Sequence, residues 1–260
     1  MAERTADESV VGAIRIVLGV AVVCALLVSL TAVTLRPHYL ANLETERMGR
    51  LQTILGSLTD VTGNIGVQDI ETRVVELANG TYSATVDPMT YDARRAVNDP
   101  AGSVAIPPNL DVPGIKRRAK HATVYLVRDG AGAIRMLILP VWGSGYQSAL
   151  RGFLALTGDA TQVLALKFYA HGETPGMGAR IQDAAWEALW PGKQLFDESG
   201  ALRIGVDRSK VVRGSVDANF RVDGISGATR TSLGVDGLLR FWLGEFGFGP
   251  YLERVRRGEG

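Results

Sequence analysis

The dominant feature of the hydrophobic pattern is a run without charge from Ile16 to Leu35, IVLGVAVVCALLVSLTAVTL, closed by Arg15 and Arg36. Twenty residues match the ~20 that a helix needs to cross a hydrocarbon core of ~30 Å. The run is long for the apolar core of a secretory signal, and its exit at Thr34-Leu35-Arg36-Pro37 offers no small-x-small cleavage site, so the pattern predicts an uncleaved membrane anchor. Arg4 and Arg15 before the run face Arg36, Arg47 and Arg50 after it, and this count does not decide the orientation.

Beyond Pro37, Met48, Leu51, Leu55 and Leu58 recur at helical spacing with Glu44, Glu46, Arg47 and Arg50 between them. This predicts a juxtamembrane helix over 40–58, followed by a polar loop over 59–66. Residues 69–78 alternate only in part and fit a helix or a strand, and 79–113 lack periodicity and hold Pro88, Pro100, Pro107, Pro108 and Pro113, which reads as an irregular surface excursion. The basic cluster Lys116 to Lys120 reads as a solvated face. Thr123 to Arg128 and Ala133 to Leu139 are β-rich runs joined by Asp129-Gly130-Ala131-Gly132, a hairpin signature. Pro140 to Tyr146 is expected to interrupt the sheet, and strands are expected at Arg151 to Ala155 and Val163 to Tyr169 around a turn at Gly158-Asp159. A helix over 182–190 stops at Pro191-Gly192, and Leu202 to Val206 and Val211-Val212 are strand-like. Val235, Leu238, Leu239, Trp242, Leu243 and Phe246 then lie on one face of a final helix that ends around Gly244 to Gly249, leaving a basic tail with Arg254, Arg256 and Arg257. The fold class expected is α+β: an antiparallel sheet flanked by helices. Its domains are a short N-terminus over 1–15, a transmembrane helix over 16–35, a juxtamembrane segment over 36–66 and a globular domain over 67–260.

Composition narrows the chemistry. With 28 basic and 27 acidic residues the net charge is +1, which gives no support to a nucleic-acid partner. Cys24 lies inside the apolar run and is the sole cysteine, so no disulfide framework or catalytic thiol exists beyond it. His38, His121 and His171 are the only histidines, and His171-x-Glu173 alone does not make a metal site. HExxH, GxSxG, a phosphate loop and a GxGxxG after a strand are missing, so zinc hydrolysis, serine hydrolysis and dinucleotide binding have no local support, and no catalytic residue is assigned.

Two stretches carry candidate chemistry. Asp223-Gly224-Ile225-Ser226-Gly227-Ala228-Thr229 stands at the start of the last helix, where unsatisfied backbone N–H groups and the helix dipole favour an anion. The bland alternative is that Ser226, Thr229 and Thr231 are helix caps. His171-Gly172-Glu173-Thr174-Pro175-Gly176-Met177-Gly178 packs three glycines and a proline into a fixed loop from which Glu173, Thr174 and Met177 are expected to project. Trp142 and Tyr146, between glycines, either offer an aromatic to a ligand or fill core.

The Ser226-Gly227-Ala228-Thr229 tetrapeptide with Asp223 before it, the His171 to Gly178 loop and the N-terminal apolar run resemble the FMN-binding-domain family. That family is found in the C subunit of sodium-translocating NADH:quinone reductases (Nqr complexes) and in the G subunit of Rnf electron transport complexes. The resemblance implies FMN joined covalently through its phosphate to Thr229 by a separate flavin transferase. It also implies cofactor contacts from Glu173, Thr174, Gly176, Met177, Asp223, Ser226, Gly227, Ala228, Trp142 and Tyr146, with Thr174 and the loop amides at the pyrimidine edge and Met177, where the family commonly has Leu, on the ring. Arg230 stands where a less charged residue is expected; it pairs with the phosphodiester or points to water. The implied setting is the bacterial inner membrane, with the globular domain on the periplasmic side and the other subunits of a respiratory complex as partners. The implied role is relaying electrons in sodium-pumping NADH:ubiquinone oxidation. A cofactor-free, membrane-tethered binding domain is the alternative from another class.

Overall fold

In the computed structural model, residues 12–27, 29–30, 49, 52, 56 and 69–260 are described. The chain divides into two compact units, residues 1–51 and 52–260, each considered by itself. In the first, residues 12–27 and 29–30 are helical. The rest of the expected anchor, nearly all of the expected 40–58 helix and the 59–66 loop lie outside the described residues. Among the described residues, no helix is long and apolar enough to cross a membrane.

The second unit is built on a six-stranded antiparallel sheet of β1 (Ile70–Glu76), β2 (Thr81–Tyr82), β5 (His121–Arg128), β6 (Ile134–Ser144), β7 (Ala149–Thr157) and β8 (Val163–Ala170), in the order β2-β1-β5-β6-β7-β8. Of the segment over 69–78, Ile70–Glu76 is a strand. It pairs along its whole length with β5, from Ile70 opposite Val127 to Glu76 opposite His121. The stretch expected to be irregular holds β2, a single-turn helix α1 (Ala93–Ala96) and β3 (Ser103–Ala105), which pairs with β4 (Arg117–Ala119). Because β4 runs through the basic cluster, Arg118 is buried rather than solvated, its guanidinium 4.6 Å from the centre of the Phe246 ring.

The apolar runs of β5, β6 and β7 are continuous rather than alternating, as strands buried on both faces require. On one face Val124, Leu126, Leu137, Leu139, Val141, Leu154 and Leu156 join the main core. That core is completed by Val235, Leu238, Leu239 and Trp242 of α3 (Thr229–Leu243) and by Tyr251, Leu252 and Val255 of α4 (Gly249–Arg256). The α4 helix corrects the expected basic tail: Pro250 presets its first turn, its apolar residues pack inward, and its arginines remain on the outer side. Phe246 belongs to the turn between the helices and not to α3.

The hairpin is as expected, but β6 does not break at Pro140 and continues to Ser144. Its pairing with β5 ends at Ile138 opposite Tyr125, whereas β7 accompanies it to the end. A proline beyond Ile138 therefore removes no donor from a two-sided ladder. The expected helix over 182–190 shrinks to α2 (Ala184–Glu187) behind a 3-10 turn over Gly178–Gln182. Of the strand-like residues after Leu202, only β9 (Gly205–Val206) pairs, in parallel with β10 (Arg221–Val222), while Val212 is exposed.

Candidate functional site

The α3 helix starts where the chain turns through Gly227, whose φ of +79° is costly for any residue with a side chain. The N-cap is Ala228, which makes no side-chain cap hydrogen bond. Ser226, Thr229 and Thr231 therefore do not cap the helix, and among the described residues no side chain accepts from its first N–H groups. The turn is held instead by Ser232, whose Oγ accepts from the Ile225 N–H at 2.9 Å and donates to the Ala228 carbonyl at 3.1 Å. Thr229, the first residue of the helix, is exposed.

Glu173 does not project. It is 5% exposed, and both carboxylate oxygens are used within the protein. Oε1 accepts from the backbone N–H of Gln147 at 2.9 Å and of Ser148 at 3.3 Å, and Oε2 accepts from the buried Thr231 hydroxyl at 2.5 Å. The Glu173 and Thr231 positions are 58 residues apart in sequence. Burial pushes the carboxyl pKa up, but the Thr231 hydroxyl and the N–H groups of Gln147, Ser148 and Tyr146 outweigh it, so the group lies below its ordinary value and is ionised at neutral pH. The surrounding glycines are spatial requirements: a Cβ on Gly178 would stand 2.6 Å from both Glu173 Oε2 and Thr231 Oγ, and one on Gly145 would stand 2.5 Å from Glu173 Oε1.

These three segments wall a cavity of about 620 Å³, within the range of roughly 300–1,000 Å³ usual for small-molecule sites. Of the residues expected at a site, Tyr146, Glu173, Thr174, Met177, Gly227, Ala228 and Thr229 line it. Gln147, Gly178, Arg230 and Thr231 line it too, and sequence reasoning had not placed Gln147, Gly178 or Thr231 there. The Arg230 guanidinium lies 5.2 Å from the centre of the Tyr146 ring and, among the described residues, has no carboxylate partner.

Four expected residues are not brought to the wall. The Asp223 carboxylate accepts from the Val211 N–H at 2.8 Å, and its carbonyl accepts from Trp186 Nε1 at 2.9 Å, so it builds the loop behind the site. Ser226 and Gly176 are exposed away from the lining, Gly176 serving as a turn residue at φ +74°. Trp142, in β6, lies against Trp242 with ring centres 3.9 Å apart, and its carbonyl accepts from Trp242 Nε1 at 2.7 Å. It fastens α3 to the sheet, the core-filling option for that aromatic.

Two further contacts fix the helix. Gly234 lets α3 approach β6 so closely that a Cβ there would meet the Ser144 carbonyl at 2.5 Å. On another side of α3, the buried Asp236 accepts from the Val206 N–H at 3.0 Å and pairs with Arg221 at 3.0 Å and Arg240 at 2.8 Å, tying the helix to β9 and β10. The Arg240 pairing was legible as an i, i+4 spacing; the β9 and Arg221 contacts have no sequence signal.

An open cavity beside a helix N-terminus, with the Arg230 guanidinium, the Thr229 hydroxyl, Tyr146 and Met177 in its lining, suits a small molecule that bears an anionic group. The FMN-binding domain family matches residues 145–244, a span that contains every lining residue. Over the whole chain, the C subunit of the Na(+)-translocating NADH-quinone reductase of Pseudomonas aeruginosa is 40% identical, covering 97% of this chain and 98% of that protein. Its counterpart in Vibrio vulnificus is 38% identical over 97% and 98%. The crystal structure of Shewanella oneidensis NqrC, 28% identical, superposes with a TM-score of 0.72 over 82% of this chain and 99% of that one. The chain belongs to the family formed by the C subunits of Na(+)-translocating NADH-quinone reductases.

Proposed function

We propose that this chain carries FMN through a phosphoester to Thr229 and passes electrons between other redox centres of a sodium-pumping NADH:quinone oxidoreductase. The carrying observation is the position of Thr229: first residue of α3, exposed, on the wall of the cavity. The residues present fit the cofactor. The α3 N-terminus and Arg230 would hold the phosphate, Tyr146 and Met177 would flank the ring, and Thr174 would face its polar edge. The flavin supplies the redox chemistry; the protein's part is to hold it, orient it and set its surroundings. An electron carrier needs no general acid or base, and none is assigned here.

Attachment requires a separate flavin transferase, since nothing beside Thr229 resembles a nucleotidyl-transfer site. In the N-terminal unit, Ile16, Val17, Leu18, Val20, Val22, Val23, Leu26 and Leu27 are all at least half exposed, apolar around the full turn of the helix. That supports a membrane anchor over 16–35; the placement of the domain on the periplasmic side of the bacterial inner membrane is part of the proposal and rests on the family resemblance alone. The test is mass spectrometry of tryptic peptides from full-length protein made together with the transferase. The Thr229 peptide should carry the mass of FMN, and Thr229→Leu should remove all covalent flavin while the domain keeps its melting temperature within about 2 °C. An unmodified Thr229 peptide in the wild type overturns the proposal.

A further inference from the structure

Glu173 is a buried carboxylate on the cavity wall. Its negative charge is balanced by dipoles alone: two backbone N–H groups of the 145–148 turn and the hydroxyl of Thr231 in the first turn of α3. Among the described residues it enters no ion pair. A carboxylate whose own atoms are shielded from solvent is screened less than an exposed one, so its field reaches into the cavity. Isolated buried charges are expensive, and a structural clasp between the same donors could be made with a neutral amide. The charge therefore has a consequence for whatever occupies the cavity.

We propose that Glu173 is a positioning and tuning residue: it clasps the 145–148 turn, the 171–178 loop and the α3 N-terminus together, and its fixed negative charge opposes the reduction of the flavin they enclose. This rests on the function proposed above. Each electron entering the cavity adds negative charge unless a proton follows it, and Glu173 raises the free energy of that added charge. The result is a lower midpoint potential. The other titratable side chains on these segments are Tyr146, His171 and Arg230. Arg230 acts in the opposite sense from the exposed rim, and His171 Nδ1 accepts from the Glu173 N–H at 3.2 Å.

Glu173→Gln removes the charge while its amide oxygen can still accept from Gln147 and Ser148. In full-length, flavin-loaded protein, redox titration of the bound flavin should show Glu173→Gln shifted to more positive potential. We expect about tenfold in the two-electron reduction equilibrium, which is about 30 mV. An unchanged potential in a fully loaded Glu173→Gln protein overturns the proposal. Thr231→Val gives a second reading should the Gln variant lose its flavin. It keeps the charge but removes a donor, so Glu173 protonates at a higher pH than in the wild type, and across the acid range the potential should show an inflection at higher pH than the wild type's. The inflection should persist when His171→Gln is added. A Thr231→Val potential that parallels the wild type across that range also overturns the proposal. Absence of flavin from the wild type would refute the function proposed above instead.

Discussion

The body of α3 and its first turn are opposite environments within one helix. From Val235 to Leu243 every residue but Arg240 is buried: Val235, Leu238, Leu239 and Trp242 are 0% exposed, and Gly234 lies against the β6 backbone. At the first turn Thr229 and Arg230 face an open cavity and only Thr231 and Ser232 turn inward. The difference shows how a site is kept both rigid and accessible. Packing further along the helix fixes the position of the exposed turn, and the turn itself makes few contacts that a ligand would have to displace.

The buried side of α3 is the more sensitive to substitution. Trp242→Ala removes a fully buried indole packed on Trp142, Phe241 and Phe248, together with its hydrogen bond to the Trp142 carbonyl. We expect a loss of about 3–5 kcal/mol, read as a fall in the chemical-denaturation midpoint. Next comes the clasp. Thr231→Val leaves one oxygen of a buried carboxylate without its donor and should cost about 2 kcal/mol at pH 7. The sign with pH follows from the lowered Glu173 pKa: the folded state favours the ionised form, so the clasp's contribution is complete above the unfolded pKa and disappears as pH falls through the folded value. Denaturation midpoints of wild type and Thr231→Val should therefore converge in acid; a gap that stays constant to pH 2 would show that the bond does not depend on ionisation.

Gly234→Ala sets two effects against each other. Alanine is favoured over glycine in a helix by about 1 kcal/mol, but here its Cβ would meet a backbone oxygen at 2.5 Å, and overpacking of that kind costs about 1–3 kcal/mol. The net expectation is a loss of about 1 kcal/mol, with a stabilised variant counting against the close approach. The smallest change is Arg230→Ala on the open side. Its contact with Tyr146 is at an exposed site, where such pairs contribute about 0.5–1 kcal/mol, so stability should fall by no more than that. If α3 were held from its first turn, this substitution would rival Trp242→Ala.

Elements that depend on neighbours in sequence were legible. The α3 start at Thr229, the hairpin at Asp129 to Gly132 and the strands flanking Gly158-Asp159 follow from glycines, turn residues and local periodicity. The Thr174 and Met177 side chains are exposed on the cavity wall, as the loop's composition implied. Elements that depend on distant partners were not. Residues 70–76 become a strand because β5 offers an edge, Pro140 stays in β6 because β5 ends its pairing at Ile138, and the α4 apolar face has meaning only against the sheet.

By itself the sequence determined an α+β domain, its principal helix and the two loops that meet at a cavity. These follow from local backbone preferences and from the period of the apolar residues, which are properties of short stretches. Tertiary structure alone decided that Glu173 turns inward to Thr231, that Trp142 supports α3 instead of facing the cavity, and that Asp223 serves the loop behind the site. A side chain's partner is set by which segments the fold brings within hydrogen-bonding distance, and a separation of 58 residues leaves no trace of that proximity in composition or spacing.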